Sequence, residues 1–313
     1  MGTVGIPECR PSRLVDDMHT EGNAPFFSPL QKVTAPDVVE LVQHPRLVST
    51  TMHRNWIVDV YLPIGYRQNP TQSYPWLIAN DGQDMKAVNL RATLQQLQRD
   101  GLMEPTIVIA IHAPHDRRQV YGIAAEADFK QRGALASAYS LFLKDEIIPY
   151  LMKEYRAKRE TGAIMGFSLG GLQAFDMAWH HPDLFAKVGV FSGSFWWRRK
   201  AYEEGYQDHD RIMLDLVARG HRQPLKFWLQ VGTHDENADR DQDGLIDAVG
   251  DSRDLVRLLT AKGYDFWNDI RYLEIPNGHH NQTTWAEVLP DFLQWAFGSS
   301  KSQYAWGHQA MTN

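Results

Sequence analysis

Residues 164–171 read Ile-Met-Gly-Phe-Ser-Leu-Gly-Gly and set a serine inside G-x-S-x-G, between an apolar run and a helical one. A chain with this segment must pass from strand through a sharp turn to helix within a few residues, leaving the serine Oγ free above a sheet. Upstream, residues 161–165 are short and apolar, as a buried parallel strand is. Downstream, Leu172, Phe175, Ala178 and Trp179 recur at helical spacing until His181 and Pro182 end the run. Gly166 and Gly170 flank Ser168 where a Cβ would crowd the turn. The Leu169 amide, at the helix N-terminus, is placed to meet a developing oxyanion. The plainer reading is a glycine-rich turn in which Ser168 only caps the helix.

The rest of the chain alternates in the same way. Trp56, Val58, Val60 and Leu62 alternate as on a half-buried strand, and 75–79 and 106–111 are short apolar strands. A helical stretch follows residue 84 to Gly101, with Val88, Leu94 and Leu97 on its apolar face. A longer one runs over 134–155, where Pro149 predicts a kink. Strands are expected at 188–191, 225–231 and 271–275, and helices at 254–262 and 285–297. Strands alternating with helices predict an α/β class, a mostly parallel central sheet with helices on both faces. Residues 1–45 show no sustained period and read as an N-terminal extension; 46–298 form the catalytic domain and 299–313 a tail.

Ligands in such sheets sit at the carboxyl ends of strands. Residues 80–84, 112–116, Ser168, 234–235 and 279–280 all fall there. A serine hydroxyl needs a histidine to take its proton and a carboxylate to orient that histidine. Gly232-Thr-His-Asp235 and Asn277-Gly-His-His-Asn281 follow Ser168 in the order serine, acid, histidine, each just past a strand. His279 and His280 are both candidates, since neighbours cannot both face the serine.

With these residues in view, the chain resembles the putative-esterase (esterase D/enterochelin esterase-like) family of α/β-hydrolases. The likeness rests on Gly166-Phe-Ser-Leu-Gly-Gly171, His181-Pro-Asp-Leu-Phe185 and Phe191-Ser-Gly-Ser-Phe195. Asp116-Arg-Arg-Gln-Val-Tyr121 is similar to the family's Asp-Arg…Tyr segment, with Val120 where many members have Glu. His280-Asn281 with Trp285 resembles its His-Asn-Glu-x-x-Trp, Gln282 taking the Glu place. The likeness runs from about residue 50 to 298. It implies the α/β-hydrolase fold, Ser168 as nucleophile, His280 rather than His279 as base, and Asp235 as acid with Glu236 next in line. It also implies a second oxyanion amide in the Asp81-Gly82-Gln83 turn, at Gln83, beside that of Leu169. Arg117, Tyr121, Trp196 and Trp197 are candidate pocket residues.

The net charge of −6 is concentrated. Acids at 235, 236, 239, 241, 243, 247, 251 and 254 outweigh Arg240 and Arg253, and the remainder is balanced. No basic surface points to nucleic acid. Asp239-Arg-Asp-Gln-Asp-Gly-Leu-Ile-Asp247 follows D-x-D-x-D-G-x-x-D, the first nine places of an EF-hand-type loop. Asp239, Asp241, Asp243, the Leu245 carbonyl and Asp247 are the expected calcium ligands, although Gly250 stands where the bidentate Glu belongs. The alternative is a solvated acidic loop.

The expectation is a serine carboxylic-ester hydrolase acting on a small-molecule ester through an acyl-enzyme, with no cofactor for catalysis beyond a structural calcium. An acyltransferase with the same triad, or a non-catalytic binding protein on this scaffold, are the competing readings. No run approaches about eighteen apolar residues, so no membrane span is expected. One cysteine, Cys9, and no basic-then-apolar leader fit a cytoplasmic protein.

Overall fold

The computed structural model describes residues 38–160 and 162–299. Its strands are β1 (Glu40–Ser49), β2 (Arg54–Leu62), β3 (Trp76–Asn80), β4 (Ile107–Ile111), β5 (Gly162–Phe167), β6 (Phe185–Phe191), β7 (Lys226–His234) and β8 (Ile270–His279). They make one sheet in the order β1-β2-β4-β3-β5-β6-β7-β8. β1 and β2 are antiparallel, β2 runs antiparallel to β4, and the pairs from β4 to β8 are parallel. The parallel strands therefore deliver their carboxyl ends to one edge of the sheet, where all the candidate site residues lie.

Strand alternation divides the core. Trp76 and Ile78 of β3 pack on one face with Phe142, Phe175 and Leu259. Leu77 and Ala79 pack on the other with Leu90, Leu94, Trp285 and Phe292. β3, β4 and β5 are buried throughout, which accounts for their unbroken apolar runs. Full burial of Leu90 and of Leu94 contributes about 1.5–3 kcal/mol each.

Three expectations need correction. The strand β1 begins at Glu40, so a boundary at residue 45 would cut through it. Pro45 breaks the alternation there, and the register shifts between His44 and Leu47, a fault that an edge strand tolerates. The residues before 38 lie outside the described residues, as does most of the tail. The helical segment around Pro149 runs as Ala136–Phe142, a π-helical stretch Leu143–Ile147 and Ile148–Glu154. A proline removes one amide donor and crowds the carbonyl four residues back, which the wider turn relieves. The helix expected at 254–262 spans Asp247–Ala261, so Asp247 and Asp251 belong to a helix rather than to a loop.

Candidate active site

β5 ends at Phe167, and Ser168 takes φ 54° and ψ −122° before the helix Leu169–His180 begins. A non-glycine residue in that region carries strain of about 1–3 kcal/mol. The surroundings impose it. The Ser168 amide donates to the Phe191 carbonyl at 2.9 Å. A Cβ on Gly166 would lie 2.2 Å from the Gly170 carbonyl oxygen, and one on Gly170 would lie 2.2 Å from Asp81 Oδ2. Neither position admits a side chain, so the helix start sits directly against β5 and the turn after β3.

β7 and β8 are neighbours, and each releases a polar residue at its end. Asp235 follows β7 and is buried; His280 follows β8. His280 Nδ1 lies 3.2 Å from Asp235 Oδ2. His279 faces elsewhere: its ring stands 5.6 Å from that of His234, and its amide donates to Thr284 Oγ1. Burial, with Asp247 close by, pushes the Glu236 carboxyl above the usual range. Asp235, not Glu236, is the carboxylate joined to His280; a second pair at this edge, His112 Nε2 with Asp59 Oδ2 at 3.0 Å, lies past β4. Among the described residues, the Ser168 hydroxyl makes its hydrogen-bond contact with Ser194 Oγ at 3.4 Å and not with His280.

The turn after β3 is held by an ion pair between a fully buried carboxylate and a partly exposed guanidinium. Asp81, fully buried in the left-handed region at φ 60°, receives Arg117 Nε at 2.6 Å on Oδ1 and Arg117 Nη2 at 2.8 Å on Oδ2. The same guanidinium donates to the Phe167 carbonyl at 3.0 Å, one residue before Ser168. Tyr121 is shut away from solvent, and its hydroxyl accepts from the Asp81 amide at 3.1 Å. Burial first, then the Asp81 charge, raises the Tyr121 phenol well above its ordinary range, so it stays neutral. The Leu169 and Gln83 amides have no protein acceptor among the described residues.

These positions correct the pocket assignments. Tyr121 and Trp197 are fully buried and have no surface to offer a substrate. Arg117 is spent on Asp81 and Phe167. Trp196 is half-buried, with the Arg132 guanidinium 4.9 Å from its ring centroid.

The family described as Putative esterase matches residues 49–296. The chain belongs to that family. It is a carboxylic ester hydrolase with the α/β-hydrolase fold. The esterase is 24% identical over 261 residues to uncharacterized protein YjcH of Bacillus subtilis (strain 168), a match covering 81% of this chain and 96% of that protein. A solved ferulic acid esterase superposes with a TM-score of 0.63 at 17% identity, over 83% of this chain and 98% of the other. The enterobactin esterase of Shigella flexneri, solved in the presence of 2,3-di-hydroxy-N-benzoyl-glycine, gives 0.63 at 18% identity, over 84% and 60%. Identities this low establish a common fold and no more. No helix among the described residues of the esterase is long and apolar enough to cross a membrane.

The acidic loop lies beyond Asp235. Carboxylate oxygens of Asp239, Asp241 and Asp243 gather within 4.8 Å of one another. Asp239 accepts from the Asp243 and Gly244 amides, and Asp243 Oδ1 accepts from the Leu245 amide at 2.8 Å. Asp247 is not free to join them. Its Oδ1 accepts from the Arg240 amide at 2.9 Å, and the Arg240 guanidinium stands 3.4 Å from Oδ2. Asp251 is likewise taken, by Arg211 at 2.6 Å and by Arg240.

Several residues of the site carried no role in the sequence reading. Ser192 Oγ donates to Asp235 Oδ1 at 3.1 Å and accepts from Trp285 Nε1 at 2.9 Å. Gln282 Nε2 donates to Asp84 Oδ1 at 3.2 Å, tying the last helix to the turn after β3. Ser192, Ser194 and Trp285 all stand inside motifs that carry the family likeness. The motifs mark the positions, but what each touches depends on separate strands meeting.

Proposed function

We propose that the esterase works through a Ser168–His280–Asp235 triad and an acyl-enzyme, on a small-molecule ester. The observation that carries this reading is the Asp235–His280 contact at the ends of β7 and β8, on the same sheet edge as the Ser168 turn. With Nδ1 turned to Asp235, the other ring nitrogen, Nε2, is left to accept the serine proton.

Ser168 Oγ attacks the ester carbonyl carbon while His280 Nε2 takes its proton. The carbonyl oxygen becomes an oxyanion and receives hydrogen bonds from the Leu169 and Gln83 amides. Collapse breaks the bond to the alcohol, which leaves with the proton from His280. Water then attacks the acyl-serine, giving a proton to His280, and the acid departs as Ser168 regains its hydrogen. The long Ser168 contact to Ser194 does not oppose this, since catalytic hydrogen bonds often tighten only with substrate bound.

A short-chain nitrophenyl ester tests the scheme. A burst of chromophore equal to the enzyme concentration is expected if acylation precedes slower deacylation. His280→Ala should lower kcat on the order of 10⁴-fold or more, while His279→Ala stays within a few-fold of the parent. The reverse ranking would move the base to His279 and break the Asp235 assignment with it.

We also propose that Asp239, Asp241 and Asp243 hold a divalent cation weakly. Three converging carboxylates suit a hard cation, but loss of Asp247 to Arg240 leaves the set poorer than its spacing implied. If the site has a Kd of about 10⁻⁴–10⁻³ M, 10 mM calcium should stabilise the fold by about 1.4–2.7 kcal/mol. Thermal unfolding with calcium and with chelator measures this, and Asp241→Asn with Asp243→Asn should abolish the difference. Equal melting temperatures in the two conditions would return the loop to a solvated acidic turn.

A further inference from the structure

Ser192 sits just past β6 with φ 51°, a region that L residues seldom occupy, and it is buried. Its amide is fixed to the Gln230 carbonyl at 2.7 Å. Its hydroxyl lies between the Trp285 indole nitrogen at 2.9 Å and Asp235 Oδ1 at 3.1 Å. An indole N–H can only donate, so Ser192 Oγ must accept there. That commits its single proton to Asp235 Oδ1, because an ionised carboxylate can only accept. Asp235 Oδ2 is then the oxygen left for His280 Nδ1. Direction thus runs one way along the chain, from Trp285 to Ser192 to Asp235.

Trp285 is itself immobilised. Its ring stacks on Phe167 at 4.7 Å and 12°, and stands edge-on to His280 at 5.4 Å. Phe167 is the residue before Ser168. One side chain therefore touches the elbow, the histidine and, through Ser192, the acid.

We propose that Ser192 and Trp285 are positioning residues, which orient the Asp235 carboxylate so that Oδ2 holds His280 in its productive tautomer. This rests on the triad reading above. Neither residue touches a reacting atom. Their effect should appear in kcat and leave substrate binding alone, since imidazole orientation matters when the serine proton moves.

The test is a double-mutant cycle with Ser192→Ala and Trp285→Phe, each checked for parental melting, with Ser168→Ala assayed beside them. Ser192→Ala should lower kcat about 10- to 100-fold, the effect of removing one hydrogen bond to a charged acceptor, with KM within about twofold. Trp285→Phe keeps a ring to stack on Phe167 but removes the N–H, and should cost a few-fold. In the Ser192→Ala background it should cost nothing further, because the path is already broken. The downfield proton resonance of His280 Nδ1–H should shift in Ser192→Ala, where no ring beside the imidazole changes, a signature that a merely structural role would not move. Additive losses, a change confined to KM, or full activity in Ser192→Ala would overturn the proposal. If Ser192→Ala fails to fold, Trp285→Phe decides alone through its kcat, which should fall a few-fold while KM stays within about twofold. Should Ser168→Ala retain turnover, the triad reading itself fails; should it be inactive while Ser192→Ala is unimpaired, only the positioning role falls.

Discussion

Ser168→Ala should remove ester hydrolysis almost completely, lowering kcat on the order of 10⁴- to 10⁶-fold. In the proposed mechanism this residue supplies the atom that bonds to the acyl carbon, and no neighbouring group replaces it. Ser194 Oγ is 3.4 Å away but has no histidine contact among the described residues. Residual turnover would come from the oxyanion amides and binding alone. Stability should hardly change. Alanine meets the same strain at φ 54° as serine does, and the hydroxyl's hydrogen bond to Ser194 is too long to add much. Steady-state hydrolysis of a nitrophenyl ester and a thermal melt measure the two halves. Activity above a few per cent of the parent would refute the nucleophile.

Arg117→Met should produce the largest loss of stability. It leaves Asp81, fully buried, with the Gln83 side-chain amide at 3.2 Å as its remaining side-chain partner. Breaking a buried ion pair by removing one partner costs about 3–5 kcal/mol, because the survivor is a charge out of water. The methionine fills much of the volume, so the loss is electrostatic rather than steric. For a domain of this size the melting temperature should fall on the order of 10 °C. Adding Asp81→Asn should recover part of it, since a neutral amide is less costly to bury without a partner. A denaturant titration of the single and double variants checks both the size and the recovery. If the double variant is no more stable than Arg117→Met, the buried charge is not the cause. Activity should suffer as well, since Arg117 also joins the Phe167 carbonyl, and so links the two turns that carry the Gln83 and Leu169 amides.

Sequence reasoning reached far where the physics is local. A strand, a serine between close-packed glycines and a helix follow from neighbours in the chain, and residues 162–180 took that form. Apolar runs located β3, β4 and β5, because strands buried on both faces cannot be polar. The order serine, aspartate, histidine at strand ends was legible because a parallel sheet brings its carboxyl ends to one edge.

What remained hidden depended on residues far apart in the chain. β1 was obscured because Pro45 interrupts its pattern, and only pairing with β2 reveals the bulge. Tyr121 and Trp197 carry the same aromatic identity inside a core as beside a substrate, so burial had to be seen. Arg117 read as a pocket residue until Asp81, thirty-six residues earlier, closed on it. The spacing of the acidic loop counted Asp247 as a ligand, because no motif records that Arg240 has claimed it. Ser192 and Trp285 meet Asp235 only where β6, β7 and the last helix converge. Short-range order is written in propensity and periodicity; partnership between distant side chains is a property of the packed sheet.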